Sequence, residues 1–429
     1  MAIPSRWCLI LSVGLLCCLL GRDPAAAQHI HTSTGYIVLQ QPGSAAVKPQ
    51  AAEGAAAKSP SDAAPPEEPQ EEAAATTAEE EPAEEAEEEG DGPRTLFPAE
   101  CETRIGGWVQ AGYHSGSDEL FNDRPDTLNL HQSWLWIENS VDGENGLDIG
   151  YRADILYGID GADTQAFGNP PGPWDFQNGW DHGAQSWAMP QLYGQFAYCN
   201  LSAKIGHFYT PVGYEVVQAP GNFFYSHALT HYNTEPFTHT GVLTTYKASE
   251  QIEVYAGWTL GWDTGFERLD GGSNWLGGVA VQLAERLKMT YMSTAGDLGW
   301  RGEGYSHSLI FDWTISDRWH YVFESDMIAS NGIVAVEDGV EIFQPGISDD
   351  QIGINQYLFY TISPKLAAGV RAEWWKSDGV SFNEVTYGVN LKPHPNFVVR
   401  PEVRHQWCPT DEFDFEDRTV FGIDGYVTF

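Results

Sequence analysis

Alternation of apolar and polar residues in consecutive runs extends from Cys101 to the end of the chain. A period of two is that of a β-strand, and about ten residues is the length that a tilted strand needs to cross a lipid bilayer. No helical period separates the runs, so the sequence predicts an all-β fold. About 16 runs are counted, at 103–113, 127–139, 147–157, 188–198, 201–210, 237–247, 252–262, 274–284, 287–295, 304–315, 319–328, 350–362, 365–376, 382–392, 396–406 and 418–429.

The connections between these runs alternate in length. Tight turns such as Asp142-Gly143 and Ser363-Pro364 alternate with longer connections, which is typical of outer-membrane barrels with short periplasmic turns and long external loops. An even strand number also lets an antiparallel sheet close on itself. The prediction is a transmembrane antiparallel up-and-down β-barrel of about 16 strands over residues 99–429. The longer loops are predicted at 114–126, 158–187, 211–236, 263–273, 296–303, 329–349, 377–381 and 407–417.

The two faces of each run differ in polarity. In the run 396–406, Val399 and Val403 alternate with Arg400 and Arg404. In a membrane barrel the apolar set would face lipid and the charged set a water-filled interior. A soluble β protein with a wet outer face gives the same alternation. Run length, strand number and the N-terminus therefore decide in favour of the membrane.

The first 27 residues have the pattern of a secretory signal peptide. Arg6 is basic, residues 7–20 are apolar, and Ala25-Ala26-Ala27 offers a small-residue cleavage site. We expect residues 1–27 to be removed on export. No later stretch reaches the ~18 continuous apolar residues of a spanning helix.

Residues 28–98 are rich in Ala, Pro and Glu and poor in aromatic residues. Such a segment cannot bury enough apolar surface to offset its ordering entropy, so it is predicted to be a disordered acidic periplasmic extension. It would serve as a spacer, or else bind a basic partner. The formal net charge of the whole chain is −38, which argues against a nucleic-acid partner because those proteins present a basic face.

The segment around the fifth and sixth runs carries the most specific motif. Residues 206–215 read GHFYTPVGYE, followed by AP at 219–220, NFFYS at 222–226 and EPFTHTG at 235–241. This pattern resembles the OmpL-like outer-membrane β-barrel porin family of the planctomycete type. The resemblance covers about 101–429. It implies an outer-membrane barrel with porin activity and no particular substrate.

Loop 211–236 is the predicted constriction. It follows the fifth run. In the general porins, which have 16 strands, the loop at this position folds inward and narrows the pore. Charged and hydrogen-bonding groups at a constriction select between solutes. The wall arginines either face the loop carboxylates across the lumen or pair with neighbours such as Glu373 and Glu402. The candidate lining residues are Tyr214, Glu215, Asn222, Tyr225, His227, His231 and Glu235 in the loop, and Arg152, Lys204, Arg371, Glu373, Trp375, Arg400, Glu402 and Arg404 on the wall.

Other chemistry is weakly indicated. His227, His231 and Glu235 are spaced by four, which on a helix would align them as metal ligands. Asn233 and Pro236 do not suit a helix, so the sequence favours a hydrogen-bonded loop and predicts no metal or cofactor. Carboxylates are too common here to indicate a glycosidase pair, and no G-x-S-x-G or phosphate-binding loop occurs. The chain is not predicted to be an enzyme.

Three cysteines remain after the expected cleavage. The predicted topology puts Cys101 and Cys199 at the periplasmic rim, where a disulfide could form in an oxidising compartment; unpaired thiols are the alternative. The terminal Phe429 closes an alternating strand and resembles the assembly signal of bacterial outer-membrane barrels. It implies a contact with the barrel-assembly machinery.

The predicted function is passive diffusion of small hydrophilic solutes or ions across the bacterial outer membrane, with the barrel in contact with lipid. A homotrimer is an open expectation, because trimers are common among porins of this size. Two alternatives remain. One is a structural or adhesive barrel plugged by its own loops, and the other is a secreted soluble β protein that binds polysaccharide.

Overall fold

The computed structural model describes the larger part of residues 103–429 and two residues before it. The predicted signal peptide at 1–27, most of the acidic extension at 28–98, and Cys101 lie outside the described residues. The described ranges are 94–95, 103–117, 121–166, 174–175, 182–266, 271–337, 340–377, 379–409 and 417–429.

Sixteen long strands, β2 to β17, form the fold, and a two-residue strand β1 (Arg94–Thr95) pairs antiparallel with β2. The long strands are β2 Thr103–His114, β3 Asn129–Asn139, β4 Asp148–Gly158, β5 Ser186–Tyr198, β6 Leu201–Tyr209, β7 Thr238–Ser249, β8 Ile252–Trp262, β9 Ser273–Ala284, β10 Leu287–Asp297, β11 Glu303–Trp313, β12 Trp319–Glu337, β13 Val340–Ser363, β14 Leu366–Ser377, β15 Val380–His394, β16 Phe397–Trp407 and β17 Arg418–Thr428.

Every long strand pairs antiparallel with its sequence neighbours, and β17 pairs back with β2. At this closure Val427 lies opposite Val109. Beyond it, Gly107 and Phe429 exchange two backbone hydrogen bonds of 3.1 and 3.0 Å. A closed sheet leaves no row of unpaired backbone groups at an edge. The predicted closed up-and-down barrel of 16 strands is confirmed.

Burial is the inverse of that in a soluble protein. On β17, Phe421 is 44 % exposed whereas Asp424 is 2 % exposed. On β16, Val403 is 42 % exposed and Arg404 is 2 % exposed. Charged side chains are almost never buried in a soluble protein unless they are paired. Apolar side chains outside and charged side chains inside are the arrangement of a barrel in lipid.

The predicted extents of two loops are wrong. The expected loop 329–349 is mostly strand, because β12 continues to Glu337 and β13 begins at Val340. Its sequence includes Ile333-Val334 and Ile342-Phe343, and β-branched and aromatic residues favour continued strand pairing. The expected loop 377–381 is a short turn between β14 and β15.

Helical structure is sparse. The described residues include two five-residue helices, α1 Asp160–Thr164 and α2 Leu229–Asn233, with 3₁₀ turns at Ala219–Gly221 and Gly299–Arg301. Among the described residues, none of the helices has both the length and the apolar character needed to cross a bilayer.

The connection 210–237 between β6 and β7, hereafter the internal loop, crosses the interior of the barrel. At one point, its residues Val217 and Ala219 belong to a cluster with Trp108 and Trp134 of β2 and β3. At another, its Phe224 packs with residues of β11, β12 and β13, namely Ile310, Val322, Tyr357 and Phe359. The internal loop therefore contacts the wall on widely separated strands.

Candidate functional site

The two ends of the internal loop meet. Pro211 and Gly213 interrupt the strand that leads into it, because proline lacks an N–H donor and glycine adopts conformations that other residues avoid. Gly213 has φ +89°, and a Cβ at this position would collide with the carboxylate of Glu235. A side chain here is excluded twice, by backbone conformation and by space. The chain leaves the wall and returns to it at nearly the same place.

Arg371 of β14 is the centre of the contact between loop and wall. Its guanidinium, fully buried, donates to Glu215 Oε1 at 2.8 Å, to the Ser226 carbonyl at 2.8 Å and to Glu384 Oε1 at 2.5 Å. Burial alone would raise the pKa of Glu215, but Arg371 and His227 outweigh it and hold that pKa well below its usual range. Glu215 is therefore a permanent anion paired with the wall.

Two wall carboxylates bind the backbone of the internal loop. Glu373 accepts the N–H groups of Leu229 at 2.8 Å and Thr230 at 2.6 Å. These are the first residues of α2, whose N–H groups have no partner within the helix. Glu402 accepts the N–H groups of residues 225 and 226 at 2.9 and 3.1 Å. Wall side chains thus satisfy loop donors that would otherwise be unpaired.

Arg400 of β16 binds carbonyl groups of the internal loop, whereas Glu373 and Glu402 bind its N–H groups. It forms a bidentate pair with Asp424 at 2.9 and 2.5 Å. Its Nη1 donates to the carbonyls of Ala219 and Asn222 at 2.8 and 2.9 Å. Those carbonyls belong to the 3₁₀ turn and the residue after it, so Arg400 fixes the turn in the middle of the loop.

A third group of contacts ties the internal loop to β3. The Tyr225 hydroxyl lies 2.6 Å from His131 Nε2, and His131 Nδ1 lies 2.8 Å from Asp160 Oδ1. Gln132 donates to the Val217 carbonyl and to Asp160, both at 2.8 Å. The loop is anchored to β3 as well as to β14 and β16, so it bridges the barrel.

The sequence prediction for 227–235 is partly wrong. A helical turn, Leu229–Asn233, does form and ends before Pro236. It stacks the rings of His227 and His231 at 4.7 Å and places His231 Nδ1 3.3 Å from Glu235 Oε2. Burial and the neighbouring His227 lower the pKa of His231 to about 3. His231 is therefore neutral at physiological pH.

Most of the residues predicted to line the pore are buried against other parts of the protein. Glu215, Tyr225, His227, His231, Glu235, Arg371, Glu373, Trp375, Arg400, Glu402 and Arg404 are buried. Tyr214, Asn222, Arg152 and Lys204 are partly exposed. Their role in lining a pore stays a prediction, and the contacts above give the buried set a different task, that of holding the internal loop.

The wall cations pair locally. Arg371 contacts Glu215 directly instead of facing it across open space, while Arg152 pairs with Asp154 at 2.7 Å. Lys204 Nζ lies 4.9 Å from the centre of the Tyr193 ring. The partners suggested by sequence, Glu373 and Glu402, hold loop N–H groups.

The comparison with protein families decides the identity. The model of the family described as "Putative beta-barrel porin-2, OmpL-like" matches residues 102–429. The chain belongs to this family. A search of curated protein sequences found no match.

Solved structures of outer-membrane channels share the fold of this porin. The outer-membrane channel DcaP of Acinetobacter baumannii is 12% identical with a TM-score of 0.54, over 76% of this chain and 97% of that one. The anion-selective porin from Comamonas acidovorans is 9% identical with a TM-score of 0.54, over 76% and 99%. The loop L8 deletion mutant of OmpT from Vibrio cholerae is 13% identical with a TM-score of 0.50, over 76% and 99%. Identities this low establish the common barrel and nothing finer.

Two single-residue expectations are affected by the structure of the porin. Trp375, one of the predicted lining residues of the wall, is 5 % exposed and donates to Thr234 Oγ1 at 3.2 Å, so it is covered. Cys199 is exposed at a tight turn and has no disulfide partner among the residues that the structure describes. Because Cys101 lies outside the described residues, the Cys101–Cys199 disulfide stays a prediction.

Sequence reasoning missed three wall carboxylates. Glu384 pairs with Arg371, and Glu324 and Asp326 lie beside the end of the internal loop at Glu235. Their positions carried a usable signal, since Glu324 and Asp326 are two residues apart in the predicted run 319–328 and so share its polar face.

The stability of the internal loop is expected to fall as the pH rises above about 4.5 in the absence of divalent ions. Burial and the carboxylates of Glu324 and Asp326 raise the pKa of Glu235 well above its ordinary value of 4.5. The folded porin therefore holds a proton that the unfolded chain releases, and each such proton costs at most about 1.4 kcal/mol of stability per pH unit. Glu215 has a depressed pKa and acts only below this window. His231 remains neutral throughout it.

The measurement is denaturant unfolding in EDTA between about pH 5 and 8, where this linkage operates. The variant Glu235→Gln is expected to reduce the slope of stability against pH. Equal slopes for the variant and the unmodified porin would contradict the prediction.

Proposed function

We propose that this porin allows small hydrophilic solutes and ions to diffuse passively across the bacterial outer membrane, and that the internal loop limits the opening. The observation that carries the proposal is the bridging of the barrel by a loop fixed through Arg371 and Arg400. A constriction selects solutes by its width and by the polar groups around it. A loop fixed at several points holds both constant.

The selecting groups would be the partly exposed candidates, while the buried candidates position them. Tyr214 and Asn222 lie on the internal loop and Arg152 and Lys204 on the wall. Tyr214 is itself held, since its N–H donates to Glu324 at 2.6 Å and its ring lies 4.8 Å from that of Tyr357. Hydroxyl, amide and cationic groups would suit polar solutes of small size.

Single-channel recording of the refolded full chain in planar bilayers tests the proposal. Discrete conductance steps of stable size are expected, because a fixed loop gives one opening. Folding is verified independently by the change in gel mobility on heating. A folded protein that inserts into the bilayer and stays silent would contradict the proposal and favour a plugged structural barrel.

Export and assembly are part of the same proposal. Residues 1–27 would be cleaved as a signal peptide, and 28–98 would form an acidic periplasmic spacer. Phe429 is exposed at the end of the last strand, where the barrel-assembly machinery could bind it. A homotrimer is proposed from the size of the barrel, and cross-linking of the protein in its native membrane tests it.

A further inference from the structure

Three carboxylates meet where the internal loop rejoins the wall. Glu235 comes from the loop, and Glu324 and Asp326 come from β12. One oxygen of each lies within 4.8 Å of one oxygen of the other two, and all three side chains are buried. The charged groups that most strongly affect Glu235 are also carboxylates, namely Glu324, Asp326, Glu215 and Glu373. Three carboxylates at this distance in a buried site repel one another strongly when all of them are ionised.

The protein satisfies only one member of this triad well. Glu324 accepts from the Tyr214 N–H at 2.6 Å and from Asn355 Nδ2 at 3.0 Å. Asp326 is 1 % exposed, and neither of its carboxylate oxygens has a hydrogen bond of good geometry within the described part of the chain, although the Ser308 hydroxyl and the Glu324 carboxylate lie close to it. Leaving a buried carboxylate unsatisfied is costly. Asp326 therefore points to a ligand that the protein alone does not supply.

The remaining polar groups around the triad do not neutralise it. His231 Nδ1 lies 3.3 Å from Glu235 Oε2, and among the described residues no Lys or Arg side chain forms an ion pair with the triad. Ser308 stands opposite Asp326 in register and its Oγ accepts the Gly213 N–H at 3.2 Å. These neighbours offer dipoles and lone pairs. The triad lacks a compensating positive charge of its own.

We propose that Glu235, Glu324 and Asp326 bind a Ca²⁺ ion. Hard divalent cations take carboxylate oxygens, and Ca²⁺ binds them at 2.3–2.6 Å, so two oxygens on one ion lie up to about 5 Å apart. Oxygens within 4.8 Å of one another can share one such ion. Mg²⁺ demands near-ideal octahedral geometry and dehydrates reluctantly, so a buried site made of three carboxylates suits it less well.

The ion would join the loop to the wall. Glu235 closes the internal loop, and the two other ligands belong to β12. Asn355 and the Tyr214 N–H, which orient Glu324, would serve as supports of the ligand shell. Calcium would therefore hold the C-terminal end of the internal loop against β12. Without the ion, the charged contacts within the triad are repulsive among the described residues.

Isothermal titration of the EDTA-stripped, refolded full chain with CaCl₂ tests the site. The chain has 60 Asp and Glu residues in all, so the titration is run at high salt to suppress weak binding to exposed carboxylates. One saturable Ca²⁺ per chain is expected, together with a higher unfolding temperature when Ca²⁺ is present. Mg²⁺ is expected to bind more weakly.

The variant Asp326→Asn is expected to weaken Ca²⁺ binding by more than about 100-fold, because even changes outside the ligand shell cost 10–100-fold. Asp312→Asn is the matched control, since Asp312 on β11 is partly exposed and pairs with His320 instead. It should leave the titration unchanged. Glu235→Gln provides a second loss of a ligand, and the heat-dependent gel shift verifies that each variant folds.

Terbium luminescence gives a second readout that does not depend on conductance. Tyr357 lies with its hydroxyl 3.4 Å from Glu324 Oε2 and would sensitise a bound Tb³⁺ ion. The signal should disappear on addition of Ca²⁺ and be absent in Asp326→Asn. Identical titrations of the unmodified chain and Asp326→Asn, or weak binding without saturation, would overturn the proposal.

Discussion

Deletion of residues 215–233 is expected to raise the single-channel conductance severalfold. The deletion removes the part of the internal loop that crosses the barrel, including its contacts with Arg371, Arg400 and Glu402. The barrel strands themselves remain paired, because the closing register between β17 and β2 does not involve the loop. The remaining interior surface is charged and would be wet.

The geometry of the internal loop makes this deletion feasible. Gly213 and Glu235 are already in contact, so the shortened chain joins two segments that lie side by side. A matched control removes 334–343 from the β12–β13 hairpin, where Ile333 and Gln344 are cross-strand neighbours and can be joined directly. The control should keep the original conductance. An unchanged conductance in the loop deletion would show that the internal loop does not limit the pore.

Replacement of Arg371 by Met is expected to lower the free energy of unfolding by about 3–5 kcal/mol, the usual cost of removing one partner of a buried ion pair. The substitution removes the cation that the buried carboxylates of Glu215 and Glu384 share, and leaves Glu384 with Arg404 at 3.7 Å. It also removes the donor to the Ser226 carbonyl. The internal loop should loosen, so conductance traces should show larger and more variable steps as well.

Arg152→Met is the matched control for this substitution. Arg152 likewise pairs with two carboxylates, Asp154 and Glu138, but its side chain is partly exposed and none of its contacts among the described residues is with the loop. Its loss is expected to cost less than that of Arg371, because Trp134 and Gln191 still donate to Asp154. The double variant Arg371→Met, Glu215→Gln should recover part of the stability. Equal costs for the two arginine variants would contradict the central role of Arg371.

The barrel could be predicted from the sequence because its determinants are local. Alternation along one strand decides which side chains face lipid, as for Val403 and Arg404 on β16. Strand length and turn chemistry follow from neighbouring residues. The extension of β12 and β13 beyond the predicted runs was missed for a related reason, since a strand that continues beyond the usual membrane length breaks the expected period of loops.

The partners in the site could not be predicted, because they depend on how the loop is placed against distant strands. Arg371 and Glu215 are 156 positions apart and meet only when the barrel has closed around the loop. Polar faces were recognisable on each run, but alternation does not say which loop group each polar residue will bind. Arg371 and Arg400, for which the sequence left open whether they face the lumen or pair with neighbours, are buried in such contacts with the loop.

The distances along the chain between loop and wall have a consequence for the order of folding. The internal loop is synthesised before β14 and β16, yet its N–H groups at 225–226 and 229–230 are bound by Glu402 and Glu373 from those later strands. Contacts of such long sequence separation form late. The loop therefore reaches its final conformation only after the C-terminal strands arrive, and its docking is coupled to the last stage of barrel assembly.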